Sequence, residues 1–217
     1  MKNFSYFGTE EEKYILEKIE SSIPKFESYL QKSYDYFYLL NKGELFADLN
    51  TSEIEKLFQY STFLSINWLD ISSAMSFYLK SSNNYQKLYS LRSLTVNLNE
   101  GYKRLHHFKE DKRKKSLWIE NIEQLFAQNN LEEFKSKFNE ITSELEIYES
   151  EFQTKEFQYE RIIFVHYQGS PIEVYETFNN IDVQNLIKNT TRYLNVLDKM
   201  IIFSAKIFEK ISKNYCS

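Results

Sequence analysis

The sequence predicts an all-α protein, an up-down bundle of four to five long helices with short accessory helices. Only 4 glycines and 2 prolines occur in 217 residues, too few for the many tight turns of a barrel or a sandwich. The chain also has 17 tyrosines and 18 phenylalanines, which predict an aromatic core. Because the composition does not change along the chain, we expect one domain over residues 1–217, with residues 1–50 as an N-terminal helical extension or the first bundle helices.

The first predicted helix runs from about residue 10 to residue 40. Thr9 and Glu12 have the spacing of a capping pair at a helix start. Pro24 lies inside this helix and is expected to bend or break it, because proline lacks the amide hydrogen that the helix uses. Gly43 follows the last apolar residues and predicts the helix end, since glycine tolerates a positive φ.

The second and third predicted helices should pack antiparallel to each other. The second, residues 52–79, starts at the capping pair Ser52 and Glu55 and is apolar almost all round, which predicts the central helix of the bundle. Its apolar residues include Leu57, Phe58, Leu64, Trp68, Leu69, Ile71, Met75 and Phe77. The third carries a one-sided apolar stripe, formed by Tyr85, Leu88, Leu91, Leu98, Tyr102 and Leu105.

The C-terminal half of the chain predicts four further helices. A shorter one is expected near residues 116–127, and a longer one from Asn130 to Gly169, with an interruption around residues 150–155. A short helix follows in "PIEVYETFNN". The last helix begins at Asp182 as N-cap and carries one apolar seam, formed by Val183, Leu186, Leu194, Leu197, Ile201, Ala205 and Phe208.

Charge and cysteine content limit the classes of function. The net charge of −4 provides no global attraction to nucleic acid, so such binding needs a local basic patch. Cys216 is the only cysteine, which excludes an intramolecular disulfide and a cysteine-based zinc site. No apolar run has signal-peptide length or approaches the roughly 18 residues of a membrane span. We therefore expect a cytoplasmic protein that does not associate with membranes.

Several sequence motifs of catalysis are absent. "NKGEL" is the nearest approach to a phosphate-binding loop, and its lysine precedes the glycine. No glutamate stands three residues before His106, His107 or His166, which excludes the Glu-x-x-His ligands of di-iron bundles, and no His-Glu-x-x-His occurs. The sequence predicts no metal site and no cofactor.

One stretch suggests a chemistry. "RIIFVHY" places Arg161 five residues before His166, with Tyr167 next, and it precedes the short helix and the long helix from Asp182. This order resembles the HEPN superfamily (higher eukaryotes and prokaryotes nucleotide-binding), helical bundles whose ribonuclease members carry an arginine, four to six residues and a histidine late in the domain. The resemblance is sharpest over residues 155–213 and does not cover the first 50 residues.

The resemblance implies a HEPN-like core over residues 51–217 and a metal-independent endoribonuclease that acts as a homodimer. Arg161 and His166 would be catalytic and Tyr167 auxiliary, in bacterial defence or in a toxin–antitoxin pair. Helix geometry agrees with the need for a dimer, because five residues turn a helix by about 500° and advance it by about 7.5 Å. One protomer therefore does not bring the two side chains to one face.

Two alternatives stay open. Ribonuclease members of the superfamily commonly have a polar residue after the arginine, where this chain has Ile162. A catalytically silent HEPN-like bundle that binds a protein partner, such as an antitoxin, or a nucleic acid is thus the second hypothesis. In an unrelated helical scaffold, Arg161 would pair with Glu156 or Glu160 at the surface.

A basic segment is the candidate RNA contact. "KRLHHFKEDKRKK", residues 103–115, has seven Lys or Arg against two acids, and its cations are Lys103, Arg104, Lys109, Lys112, Arg113, Lys114 and Lys115. We assign RNA binding to all of these except Lys109. The alternative is a solvated loop between helices. Arg92 and Glu100 are charged residues within the otherwise apolar third helix, where they would bond each other across two turns or reach a partner helix.

Overall fold

In the computed structural model, the chain folds as an assembly of helices. The structure describes residues 9–43, 51–106, 116–123, 125–126, 131–166 and 170–215. The helices are α1 (Thr9–Asn41), α2 (Thr51–Lys80), α3 (Asn84–His106), α4 (Lys135–Phe152), α5 (Lys155–His166), α6 (Pro171–Asn180) and α7 (Val183–Tyr215). A π-helical segment, Trp118–Glu123, and a 3₁₀ turn, Glu132–Phe134, lie between α3 and α4. Because these ranges contain no strand, the prediction of an all-α protein is confirmed.

Helix α2 lies at the centre, in contact with α1, α3 and α7. Its side chains Leu64, Ile71 and Met75 are fully buried, and each contributes about 1.5–3 kcal/mol to stability. The sequence predicts apolar residues almost all round α2 that neighbouring helices bury. Phe77 is an exception, because its side chain is exposed. Trp68 lies against the ring of Phe26 on α1, with 3.9 Å between the ring centroids.

Helix α1 continues through Pro24, so of the two expected effects the break does not occur, and the bend stays a prediction. Proline removes one backbone hydrogen bond, but the residues on either side of it are held by packing. Ile19 and Phe26 are buried, and Lys25 forms an ion pair with Asp198 of α7 at 3.1 Å. Gly43 has a φ of 70°, which confirms the turn predicted at this glycine.

Helices α2 and α3 cross at Gly101, close to the side chain of Asn67. A Cβ atom at position 101 would lie 2.5 Å from the Asn67 Cγ, nearer than real side chains approach. The Asn67 amide is buried and donates to the Asn97 carbonyl oxygen at 3.3 Å. Since Asn67 and Asn97 are equally far from the turn that joins the helices, the predicted antiparallel packing is confirmed. In the predicted stripe of α3, Tyr85 is exposed, whereas Leu91, Leu98, Tyr102 and Leu105 are buried.

Four tyrosines from four helices meet in the core. Tyr102 of α3, Tyr148 of α4 and Tyr193 of α7 are in ring contact, and the last two stack with centroids 4.9 Å apart. Tyr60 of α2 lies against Trp118, whose ring also stacks on Phe138 of α4 at 4.8 Å. The predicted aromatic core is therefore present.

The C-terminal half follows the predicted order with two differences. The segment near residues 116–127 has π-helical hydrogen bonding over Trp118–Glu123, and the helix after Asn130 begins with a 3₁₀ turn. The interruption predicted around residues 150–155 is confirmed, since α4 ends at Phe152 and α5 begins at Lys155. Asp182 caps α7 as predicted, because its Oδ1 accepts from the Asn185 amide at 3.0 Å.

Candidate functional site

Helix α5 carries Arg161 and His166, and its start is fixed by polar side chains. The Thr154 hydroxyl oxygen accepts from the Phe157 amide at 3.2 Å, which satisfies a free donor in the first turn. Just before it, the Gln153 side chain donates to the Tyr148 hydroxyl at 3.1 Å. The Gln153 bond ties the break between α4 and α5 to the core, and the Thr154 bond caps α5 as a separate helix.

Helix α5 packs against α3 through buried apolar side chains and one arginine. Phe157, Ile163 and Phe164 are buried. The Nε of Arg92 on α3 donates to the carbonyl oxygen of Phe164 at 3.0 Å. Carbonyl groups in the last turn of a helix lack hydrogen-bond donors within the helix. A cation there also interacts favourably with the negative end of the helix dipole. Arg92 therefore caps the C-terminal end of α5.

Arg161 forms an ion pair with Glu100 of α3 through its Nη2 and the Glu100 Oε1. The arginine side chain is 20% exposed and the glutamate side chain 47%. The alternative in which Arg161 pairs with a carboxylate such as Glu156 or Glu160 thus has a different partner here, because the guanidinium points across to α3 rather than along its own helix. Arg92 and Glu100 do not pair with each other but both reach α5, as the second of the two expectations for them stated.

His166 is the last residue of α5, about 1.4 turns after Arg161. On one helix, the two backbone positions are rotated by about 140° from each other, so they lie on different sides of α5. Tyr167 lies outside the described residues, and its predicted auxiliary role stays a prediction. Ile162 is half-buried.

Helix α6 covers one side of α5. The Ser170 hydroxyl accepts from the Glu173 amide at 3.2 Å and caps α6 ahead of Pro171. The rings of Phe164 and Phe178 stack with centroids 4.8 Å apart. Tyr159 donates its hydroxyl to the Glu173 carboxylate at 2.6 Å, and this bond raises the pKa of Tyr159.

A groove of about 500 Å³ runs between α5 and α6, and half of its eight described lining residues are acids. Among them are one cation, Lys155, and four glutamates at positions 156, 160, 173 and 176. Burial, with a contribution from the nearby Asp182 carboxylate, raises the pKa of Glu160 to about 7. Glu160 can therefore exchange a proton near neutral pH, but the groove as a whole repels phosphate.

Two acidic residues of this region were not predicted as parts of the site. In the sequence, Glu100 is only a charged residue in an otherwise apolar helix. Its pairing with Arg161, 61 residues away, cannot be predicted from a local sequence pattern. Glu160 stands beside Arg161 in the sequence, where its burial cannot be seen. Both matter because they set the charge around the arginine.

The predicted RNA-binding residues are only partly described. Lys103 is half-buried and Arg104 is exposed in the last turn of α3. Lys103 follows Glu100 by three residues, so it lies on the same face of α3 as the carboxylate that holds Arg161. Lys112, Arg113, Lys114 and Lys115 lie outside the described residues, and their assignment stays a prediction.

The described part of the chain contains no group of three or more His, Cys, Asp or Glu side chains arranged to hold a metal ion. None of its helices combines the length and the apolar composition needed to cross a bilayer.

Comparison with known proteins gives no family for this chain. No protein-family model matches it, and no curated protein or solved structure matches it significantly.

Proposed function

We propose that this chain is a HEPN-like protein that cleaves RNA without a metal ion, at a site shared by two protomers. Arg161 and His166 are the proposed catalytic residues, with Tyr167 beside them. The observation that carries the proposal is the position of Arg161, about 1.4 turns before the end of the helix that His166 terminates, with a partly exposed guanidinium.

In the proposed reaction, the ribose 2′-oxygen attacks the adjacent phosphorus and the bond to the 5′-oxygen breaks. The products are a 2′,3′-cyclic phosphate and a free 5′-hydroxyl. One histidine takes the proton of the 2′-hydroxyl and the other supplies the proton of the leaving oxygen, tasks that suit an ordinary histidine pKa of about 6.5. Arg161 stabilises the extra negative charge on the phosphorane.

A two-fold dimer supplies the second copy of each residue. Because Arg161 and His166 lie on different sides of α5, a pair of antiparallel α5 helices brings the arginine of one protomer toward the histidine of the other. The exposed side chains Tyr159, Val165, Ile172 and Tyr175 on α5 and α6 provide apolar area for such contact.

The second candidate function is a catalytically silent bundle that binds a partner. The ion pair between Glu100 and Arg161 supports this second function, because an RNA phosphate would have to displace the Glu100 carboxylate to bind the guanidinium. Ile162 favours it as well, since this half-buried apolar side chain cannot orient a reacting group.

Metal-free cleavage of a mixed RNA pool in EDTA tests the proposal. We expect cleavage by the wild type and at least a tenfold loss in both His166→Ala and Arg161→Ala at equal dimer content. Arg192→Ala, which changes an arginine of α7, is the matched control and keeps wild-type activity. Cleavage that survives both active-site substitutions contradicts the assignment.

Glu100→Gln distinguishes the two candidate functions. It removes the competing carboxylate while keeping the size of the side chain, so an active site should cleave several-fold faster. If neither the wild type nor Glu100→Gln cleaves RNA in its dimeric state, the silent bundle is the better description. RNA retention by the wild type and its loss in Lys103→Gln/Arg104→Gln then identifies the partner as nucleic acid.

A further inference from the structure

A second pocket lies between α1, α2 and α7. It has a volume of about 340 Å³, and none of its lining residues belongs to α3, α5 or α6. This volume falls in the range of small-molecule sites, about 300–1,000 Å³. The pocket is therefore separate from the region around Arg161.

One wall of this pocket is a cluster of three aromatic rings. The rings of Tyr36 and Phe58 stack with centroids 5.7 Å apart and an interplanar angle of 17°. Phe208 of α7 contacts both of them, at 4.8 and 4.7 Å. Such a wall offers ring faces and edges against which a flat aromatic molecule can pack.

A buried hydroxyl in the pocket has no hydrogen-bond partner among the described residues. Ser204 of α7 is 1% exposed, and its Oγ is unbonded. Ser65, on the facing wall, donates instead to the Ser61 carbonyl oxygen at 3.0 Å in its own helix. An unsatisfied buried polar atom costs about 1–3 kcal/mol, which a bound molecule with a polar atom at this depth would recover.

The charge at the rim favours an anion. Lys32 lines the pocket, is exposed, and forms no ion pair with a described residue. The acid at the rim, Glu209, is already bonded to Lys213 at 2.7 Å. Lys32 is therefore the charge available to a ligand.

We propose that the pocket between α1, α2 and α7 binds a small aromatic monoanion. Its ring packs against Tyr36, Phe58 and Phe208, a polar atom bonds the Ser204 hydroxyl, and its acidic group lies near Lys32. This proposal does not depend on RNA cleavage, because the two sites share no residue.

Titration of the full-length protein with 6-hydroxy-2-naphthoate tests this, with isothermal titration calorimetry as the measurement and the neutral 6-(hydroxymethyl)-2-naphthol as the reference ligand. The ring hydroxyl is the polar atom for Ser204, and the carboxylate is the acidic group for Lys32. We expect saturable binding of one 6-hydroxy-2-naphthoate per chain. Lys32→Gln should weaken 6-hydroxy-2-naphthoate about 3- to 10-fold and leave the neutral ligand unchanged, as the loss of one charged contact predicts. Ser204→Ala should weaken both ligands by about 2- to 10-fold.

Two controls keep the result interpretable. Lys13→Gln removes an exposed lysine of α1 that does not line the pocket, and it should bind both ligands as the wild type does. Ser61→Phe places a ring inside the pocket and should abolish binding, with its thermal unfolding measured in parallel. The proposal is overturned if neither ligand saturates the wild type at millimolar concentration, or if a folded Ser61→Phe variant binds them normally.

Discussion

Glu160 and Arg161 are consecutive residues with opposite environments. The guanidinium of Arg161 has a carboxylate partner on α3, whereas the Glu160 carboxyl is partly buried near another acid, Asp182. Burial without a cation disfavours the charged form of a carboxyl group. The neutral form of Glu160 is thus stabilised in the folded protein at mildly acidic pH.

Glu160→Gln should change how the stability of the protein depends on pH. The folded protein holds the Glu160 proton up to a pKa of about 7, above the ordinary value of 4.5, so the wild type loses stability as the pH rises between these values. Allowing for the remaining exposure of the side chain, we expect the variant to gain about 1 kcal/mol relative to the wild type between pH 4.5 and pH 7.5. Urea unfolding across this range measures it.

Glu176→Gln is the control for this experiment. Glu176 lines the same groove but is exposed, so its substitution should leave the pH profile of stability parallel to that of the wild type. If Glu160→Gln also gives a parallel profile, the Glu160 carboxyl is ionised in the folded state and the assigned environment is wrong.

At the scale of elements, the crossing of α2 and α3 depends on the absence of a side chain at Gly101. Glycine normally costs a helix about 1 kcal/mol relative to alanine, so an unconstrained Gly101→Ala change would stabilise the protein. Here the added methyl group meets Asn67, which is buried and bonded to the Asn97 carbonyl. We expect Gly101→Ala to destabilise by about 1–3 kcal/mol, measured by chemical denaturation.

The double variant Asn67→Ala/Gly101→Ala tests the cause. Shortening Asn67 makes room for the new methyl group, so the cost of Gly101→Ala should fall by at least half in that background. Equal costs in the two backgrounds would falsify the steric explanation, since independent changes add.

Most helices could be predicted from the sequence because their signals are local. Asp182, Gly43 and the interruption before α5 all act within one or two turns, and each lies where it was expected. Pro24 does not break α1, because tertiary packing of α1 on α2 outweighs the lost backbone bond. The π-helical hydrogen bonding over Trp118–Glu123 has no periodicity that a short sequence can show.

The candidate site was less predictable than the helices. Arg161 and His166 form a pattern within six residues, which a sequence displays directly. The pairing of Arg161 with Glu100 depends on how α5 lies across α3, and no residue type or spacing encodes that crossing. The same holds for Ser204, since its missing hydrogen bond is a property of the assembled pocket.

At the scale of the whole molecule, the tyrosine cluster links α2, α3, α4 and α7. Two of its hydroxyls differ sharply in their surroundings. The Tyr148 hydroxyl donates to Asn189 at 2.5 Å and accepts from Gln153 at 3.1 Å, whereas the buried Tyr193 hydroxyl has no hydrogen-bond partner among the described residues. Burial raises the pKa of both phenols, so both remain neutral in the folded protein at physiological pH.

Tyr148→Phe and Tyr193→Phe form a matched pair of substitutions. Removing the Tyr148 hydroxyl leaves Asn189 and Gln153 with unpaired polar atoms, and we expect a loss of about 1–3 kcal/mol in the free energy of unfolding. Removing the unbonded Tyr193 hydroxyl should change that free energy by no more than about 0.5 kcal/mol. Thermal and urea unfolding of both variants provides the comparison, and equal losses would mean that the Tyr193 hydroxyl is bonded in solution.

The positions of the two tryptophans have an optical consequence. Trp68 lies against Phe26 of α1, and Trp118 stacks on Phe138 of α4, so the only two indoles of the chain sit at different contacts between helices. Their fluorescence therefore reports on two separate regions. In a Trp118→Phe background, emission comes from Trp68 alone, and a red shift that precedes the loss of helical circular dichroism would reveal α1 leaving the bundle before the rest unfolds.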